Sequence, residues 1–254
     1  MTMLDTIHGV ISRRVLLNYR VDPEHLQRAL PTPFRPKLYR GYGIGGVCMI
    51  RFRDLRPRFV PSWSGLSSEN AAHRIAVEWN EDGEVREGVF IPRRDTNSCF
   101  NRTLGGRIFP GIFHRSMFEV RETDGAVSIR IVGHDGEEEV AFSGRRAQHT
   151  PATSLFATLE EAAGFFSLGA TGYSATRRAG HYHGMDLRCL TWGIEPLEVE
   201  HARSRFFGHR DRFPPGTVEL DCALLMLDVD HEWHSKPDLY LSEAGCLTTR
   251  RTSA

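Results

Sequence analysis

The sequence predicts an α+β domain, mainly antiparallel β, whose sheet curves or closes around an interior cavity. Three observations carry that prediction. Apolar or alternating runs of strand length recur through the 254 residues, bounded by Gly, Asp, Asn or Pro. Helix-like stretches are few. No regular strand–helix–strand alternation is present, which argues against a parallel, doubly wound sheet.

Taken in order, "RRVLLNYR" (13–20) is the first strand, and "VDPEHLQRALP" (21–31) follows as a short helix. Asp22 is a good N-cap, Pro23 suits the first turn, Glu24 complements the helix dipole and Pro31 ends the segment. "GIGGVCMIRF", "AHRIAVEW", "EGVFIPR", "AVSIRIVGH", "EEVAFSGRRA" and "VELDCALLMLDV" then read as strands. Stretches of about 96–106, 153–168 and 196–204 fit helices, the second most clearly, because Leu155, Leu159, Ala162, Ala163 and Phe166 fall at helical spacing. There is no internal repeat and no linker long enough to divide the chain, so residues 1–254 are expected to form a single domain; "TTRRTSA" reads as a frayed tail.

Composition narrows the function. The formal net charge is +0, so no global field draws in nucleic acid or an anionic membrane. The five scattered cysteines form no CxxC pair, which argues against a disulfide scaffold or a cysteine zinc site. The N-terminus lacks a signal pattern and no window reaches 18 apolar residues, so a cytoplasmic setting is expected. Only Lys37 and Lys236 are lysines; the other basic residues are arginines, which cannot serve as amine nucleophiles.

Among local motifs, "GYGIGG" (41–46) lacks the residues of a phosphate loop and reads as a turn or a close backbone approach. No GxSxG elbow is present. "HYH" (181–183) puts two histidines on one strand face, and "DVDHEWH" (228–234) reads as a strand end and turn rich in ligand-type side chains. A divalent-metal site from His181, His183 and 228–234 is the lowest-ranked reading, and the leading expectation is no metal and no cofactor.

Two stretches carry a family resemblance: "LLNYRVDPEHLQRALPTPF" (16–34) and "GVFIPRRDTNSCFNRTLGGRIFPGIFHRSMFEV" (88–120), with "SSENAAHRIAVEW" (67–79) between them. Together they resemble the acetoacetate decarboxylase-like superfamily. The more distant C-terminal half looks like an uncharacterised, lysine-poor bacterial branch of it. The resemblance implies a cone-shaped β-barrel with a central pocket and a few flanking helices, and it admits a homo-oligomer. In the decarboxylases a lysine attacks the ketone of a β-keto acid to form an imine. Aligning "RIFPGIFHR" with that family's "REIYGFPKK" puts His114 at the nucleophile and Arg115 at its cationic neighbour; a one-residue slip puts Phe113 there instead.

Without the lysine, the resemblance implies a non-covalent acid/base enzyme of lyase, hydratase or isomerase type acting on a small oxo acid or carbonyl compound. His114 would move the proton. Glu69, with a register that wavers by one against Asn70, would be a second acid/base group. Arg20 and Arg115 would hold the carboxylate or enolate. The alternative is a non-catalytic binding protein for a small anionic metabolite.

Overall fold

The structure is a computed structural model, and it describes residues 6–57, 66–81, 83–98, 111–168, 171–190, 193–241 and 247–250. The strands are β1 (Thr6–Val21), β2 (Arg35–Pro36), β3 (Leu38–Tyr39), β4 (Tyr42–Pro57), β5 (Leu66–Glu81), β6 (Glu84–Thr96) and β7 (Phe113–Thr123). They continue with β8 (Ala126–Gly133), β9 (Glu138–Arg146), β10 (Thr171–Ala175), β11 (His181–Cys189), β12 (Glu195–Ser204), β13 (Val218–Leu241) and β14 (Leu247–Arg250). Among the described residues two helices accompany them, α1 (Pro23–Arg28) and α2 (Leu159–Leu168).

The strand-rich prediction holds, and antiparallel pairs dominate. Seven strands form a closed ring in the order β1–β4–β5–β6–β10–β11–β13 and back to β1, with β6–β10 its one parallel contact. A second wall runs from β6 through β7, β8, β9 and β12 to β13. β13 therefore belongs to both. One buried cluster gathers Val15, Leu17, Phe34, Ile75, Phe90, Ile129 and Phe142; the other gathers Ile11, Leu16, Cys48, Phe52, Phe156, Leu224 and Met226.

Bulges decide which residues face which cluster. Ser12 has no partner on β4, where Ile11 pairs with Phe52 and Arg13 with Arg51. This extra residue shifts the alternation by one, so Ile11 and Arg14 share a face although three positions separate them. On β6, Ile91 and Pro92 lie between the paired residues Phe90 and Arg93, while β5 has only Arg74 in the matching interval. Proline cannot donate to the ladder, and the irregularity turns Arg94 to the side of Val89 and Ile91.

The short helix begins as expected: the Asp22 carboxylate accepts from the backbone N–H groups of Glu24 and His25. Three expectations need correction. Residues 195–204 form strand β12 rather than a helix, because pairing with β9 and β13 overrides the local pattern. The helix expected over 153–168 covers only its second part: Thr158 Oγ1 caps it by accepting from Glu161 N–H, while the Asp221 carboxylate holds Ser154 and Leu155 ahead of it. The segment 228–234 is the middle of β13 and not its end. The helix expected at 96–106 begins on β6 and lies otherwise almost wholly outside the described residues. Among the described residues no helix is long and apolar enough to cross a membrane.

Candidate functional site

The ring encloses a cavity of about 90 Å³, and each of its seven strands contributes to the lining. Arg14 comes from β1; Cys48, Ile50, Phe52 and Leu55 from β4; and Asn70, Ala71, Ala72 and Arg74 from β5. Val89, Ile91 and Arg94 come from β6, Gly172 from β10, Met185 and Leu187 from β11, and Trp233 from β13. Phe113 of β7 also lines it. The wall is mostly apolar, with three guanidinium groups set into it.

None of the three arginines forms an ion pair with a carboxylate among the described residues. Arg14 Nε donates to Cys48 Sγ at 3.2 Å and its Nη1 to Met226 Sδ at 3.8 Å. Arg74 donates to Asn18 Oδ1, and its guanidinium sits 4.8 Å from the centroid of the Phe166 ring. Arg94 Nε donates to Ser174 Oγ at 3.2 Å, with its guanidinium 5.6 Å from the Phe113 ring. Burial pushes the pKa of both Arg74 and Arg94 down to about 10, which still leaves them cationic at neutral pH. Two buried donors on this wall, Arg74 Nε and Trp233 Nε1, find no acceptor among the described residues. Such donors are costly to bury unless an acceptor reaches them.

The residues expected from the sequence are not brought together. His114 and Arg115 are exposed on β7, while their neighbour Phe113 lines the cavity. Glu69 is buried and bound to Arg13 at 2.5 Å and Arg51 at 2.5 Å; its neighbour Asn70 lines the cavity. Arg20 stands at the far end of β1, pairing with Glu219 at 2.5 Å and donating to the Thr153 carbonyl at 2.7 Å. Arg14, from the same strand, occupies the cavity wall instead. Sequence reasoning missed Arg14, Arg74 and Arg94; the available signal was an arginine interrupting an apolar strand in "RRVLLNYR", "AHRIAVEW" and "FIPRRD".

Neither lysine lines the cavity. Lys37 pairs with Glu87 at 2.5 Å beside a smaller neighbouring pocket that shares Arg74 and Val89 with the first. Lys236 is exposed on β13, opposite Gly184.

The histidine pair meets a different partner from the one expected. His181 Nε2 lies 2.9 Å and His183 Nε2 3.9 Å from Asp238 Oδ2, outside the 228–234 segment. Within that segment, His234 pairs with Glu232 at 2.9 Å, and His231 is buried against Phe52 and Trp233. Burial pushes the pKa of His183 down.

Comparison with known proteins agrees with this architecture. The DUF2071 family, described as "Uncharacterized conserved protein (COG2071)", matches residues 11–211. No curated protein matches the chain. Among solved structures, acetoacetate decarboxylase from Legionella pneumophila superposes with a TM-score of 0.60 at 10% identity, covering 90% of this chain and 84% of that one. An acetoacetate decarboxylase-like enzyme from Sphingomonas wittichii RW1 gives 0.57 at 13% identity, covering 98% and 94%. The enduracididine biosynthesis enzyme MppR, complexed with pyruvate, gives 0.54 at 11% identity, covering 94% and 90%. At these identities the likeness is one of fold.

Proposed function

This chain belongs to the DUF2071 family, and we propose that it is an acetoacetate decarboxylase-like enzyme that takes a small oxo acid without forming a covalent imine. The observation that carries this reading is the wall itself: three guanidinium groups without a described carboxylate partner, with Arg74 Nε and the Trp233 indole N–H also without a described acceptor. A carboxylate or enolate supplies both the missing charge and the missing acceptor. A cavity of 90 Å³ is smaller than the roughly 150 Å³ that holds benzene, which favours a ligand of a few heavy atoms. The pyruvate bound in MppR is of this class.

The absence of an imine rests on the two lysines, one paired with Glu87 and one exposed. The guanidinium groups would then orient the acid and stabilise negative charge as it develops on the carbonyl oxygen. The ring of seven strands is read as the cone-shaped barrel of the superfamily, and the reaction as of lyase type.

A second reading, a binding protein for a small anion, has one observation in its favour. No described residue of the wall is His, Lys, Asp or Glu, so the described residues supply no ordinary proton carrier there. Thermal unfolding with pyruvate, other oxo acids and dicarboxylates tests the shared part of both readings. A ligand at about a hundred times its dissociation constant stabilises the fold by about 2.7 kcal/mol. If no carboxylate moves the midpoint, both readings fail. If one does, incubation with that compound and product detection separates enzyme from binder.

A further inference from the structure

We infer that His181, His183 and Asp238 form a binding site for a divalent transition-metal ion of the Zn²⁺ class. Alternation along β11 puts His181 and His183 on one face, and β13 runs antiparallel beside it. His181 pairs with Tyr240, and an irregularity follows in which β13 carries the extra residue: both Pro237 and Asp238 lie opposite His183. The bulge delivers Asp238 to the two imidazoles.

The donor atoms all lie within 4.8 Å of one another. Around a tetrahedral ion with bonds of about 2.05 Å, donors sit about 3.3 Å apart. The observed separations from Asp238 Oδ2, 2.9 Å to His181 Nε2 and 3.9 Å to His183 Nε2, bracket that spacing. The two rings are near perpendicular, 89° at 4.9 Å between centroids, and Tyr240 stacks on His181 at 4.5 Å and 7°.

The hydrogen bonds of His181 strengthen the case. Thr176 Oγ1 lies 3.2 Å from the Arg178 carbonyl and 3.3 Å from His181 Nδ1, within hydrogen-bond reach of both. With Nε2 on a metal ion, Nδ1 would carry the ring proton and Thr176 Oγ1 would accept it, the outer contact that orients a ligating histidine. The second imidazole beside the same carboxylate oxygen supplies a third ligand atom, which a simple histidine–carboxylate pair does not need. Three protein ligands leave at least one position for water or a ligand oxygen. On the same face Ser174, the acceptor for Arg94, pairs directly with His183, so the ion would stand beside the cavity wall.

The test uses the full chain, stripped with chelator and titrated with Zn²⁺ and with Co²⁺, whose visible absorption reports coordination. The expected result is one equivalent bound. Thr176→Val should weaken affinity about 10- to 100-fold, as loss of an outer hydrogen bond to a ligating histidine does. Asp238→Asn and His183→Ala should weaken it further, and the exposed His149→Ala should not change it. Absence of stoichiometric binding by the wild type overturns the site. So does equal binding by the wild type, Thr176→Val and a folded Asp238→Asn. The outcome does not depend on what occupies the cavity, since metal binding is read without an organic ligand.

Discussion

Arg94 and Ser174 join two strands of the ring across its parallel contact: Nε donates to Oγ at 3.2 Å, while β6 and β10 pair at Ile91 and Ser174. The bond orients the guanidinium but does not neutralise it. A buried charge without a counterion is costly, and an apolar side chain of similar reach removes that cost. Arg94→Met is therefore expected to keep or raise the unfolding midpoint of the free protein and to abolish the stabilisation by an oxo acid. Parallel thermal scans with and without pyruvate check both halves. A wild-type ligand shift in the variant would remove Arg94 from the site.

Phe113 and His114 are consecutive on β7 yet differ in surroundings, one on the cavity wall and one exposed. Consistent with this, His114→Ala and Arg20→Ala are expected to leave the ligand-induced shift within experimental error. Calorimetric titration of both variants checks it, and a tenfold loss of affinity in His114→Ala would restore that residue to the site.

Glu69 holds the nearly inaccessible Arg13, whose side chain is 3% exposed, and also binds Arg51. Removing one partner of a buried pair leaves the other charge uncompensated, at roughly 3–5 kcal/mol. Arg13 retains Glu122, itself 40% exposed, which puts Glu69→Gln towards the lower end of that range. Urea unfolding of the variant measures the loss directly, and a change below 1 kcal/mol would refute the role.

Burial pushes the pKa values of His73 and His231 down to about 4. In the unfolded chain a histidine titrates near 6.5. Above that pH neither state is protonated and stability is full. As pH falls from about 6.5 towards 4, the unfolded chain takes up protons that the folded state refuses, and stability declines. Two such groups give a slope of up to about 2.7 kcal/mol per pH unit. Unfolding free energies between pH 7.5 and 5 test this, and His73→Met should make the slope shallower.

The strands were legible because a half-buried sheet writes its two-residue period into the sequence, and α1 because Asp22 and Pro23 mark its start. β12 was not, since "EPLEVEHARS" owes its extension to neighbours far away in the chain. The cavity was harder still. Arg14 and Arg94 reach the interior because unpaired residues at Ser12 and around Pro92 shift the alternation, and a shift of one turns a side chain to the opposite face. The same arithmetic explains the near misses. An assignment one residue off takes Glu69 for Asn70 and His114 for Phe113.

β13 closes both the ring and the second wall, and it meets β1 across 228 residues of chain at Thr6 and His234. During synthesis, β1 must therefore wait with one edge unsatisfied until β13 has left the ribosome. Contacts so distant form slowly, and an exposed strand edge is prone to pair with other chains meanwhile. The enclosed cavity thus comes into being last, and a nascent chain stalled before residue 218 would be an aggregation hazard and a client for chaperones.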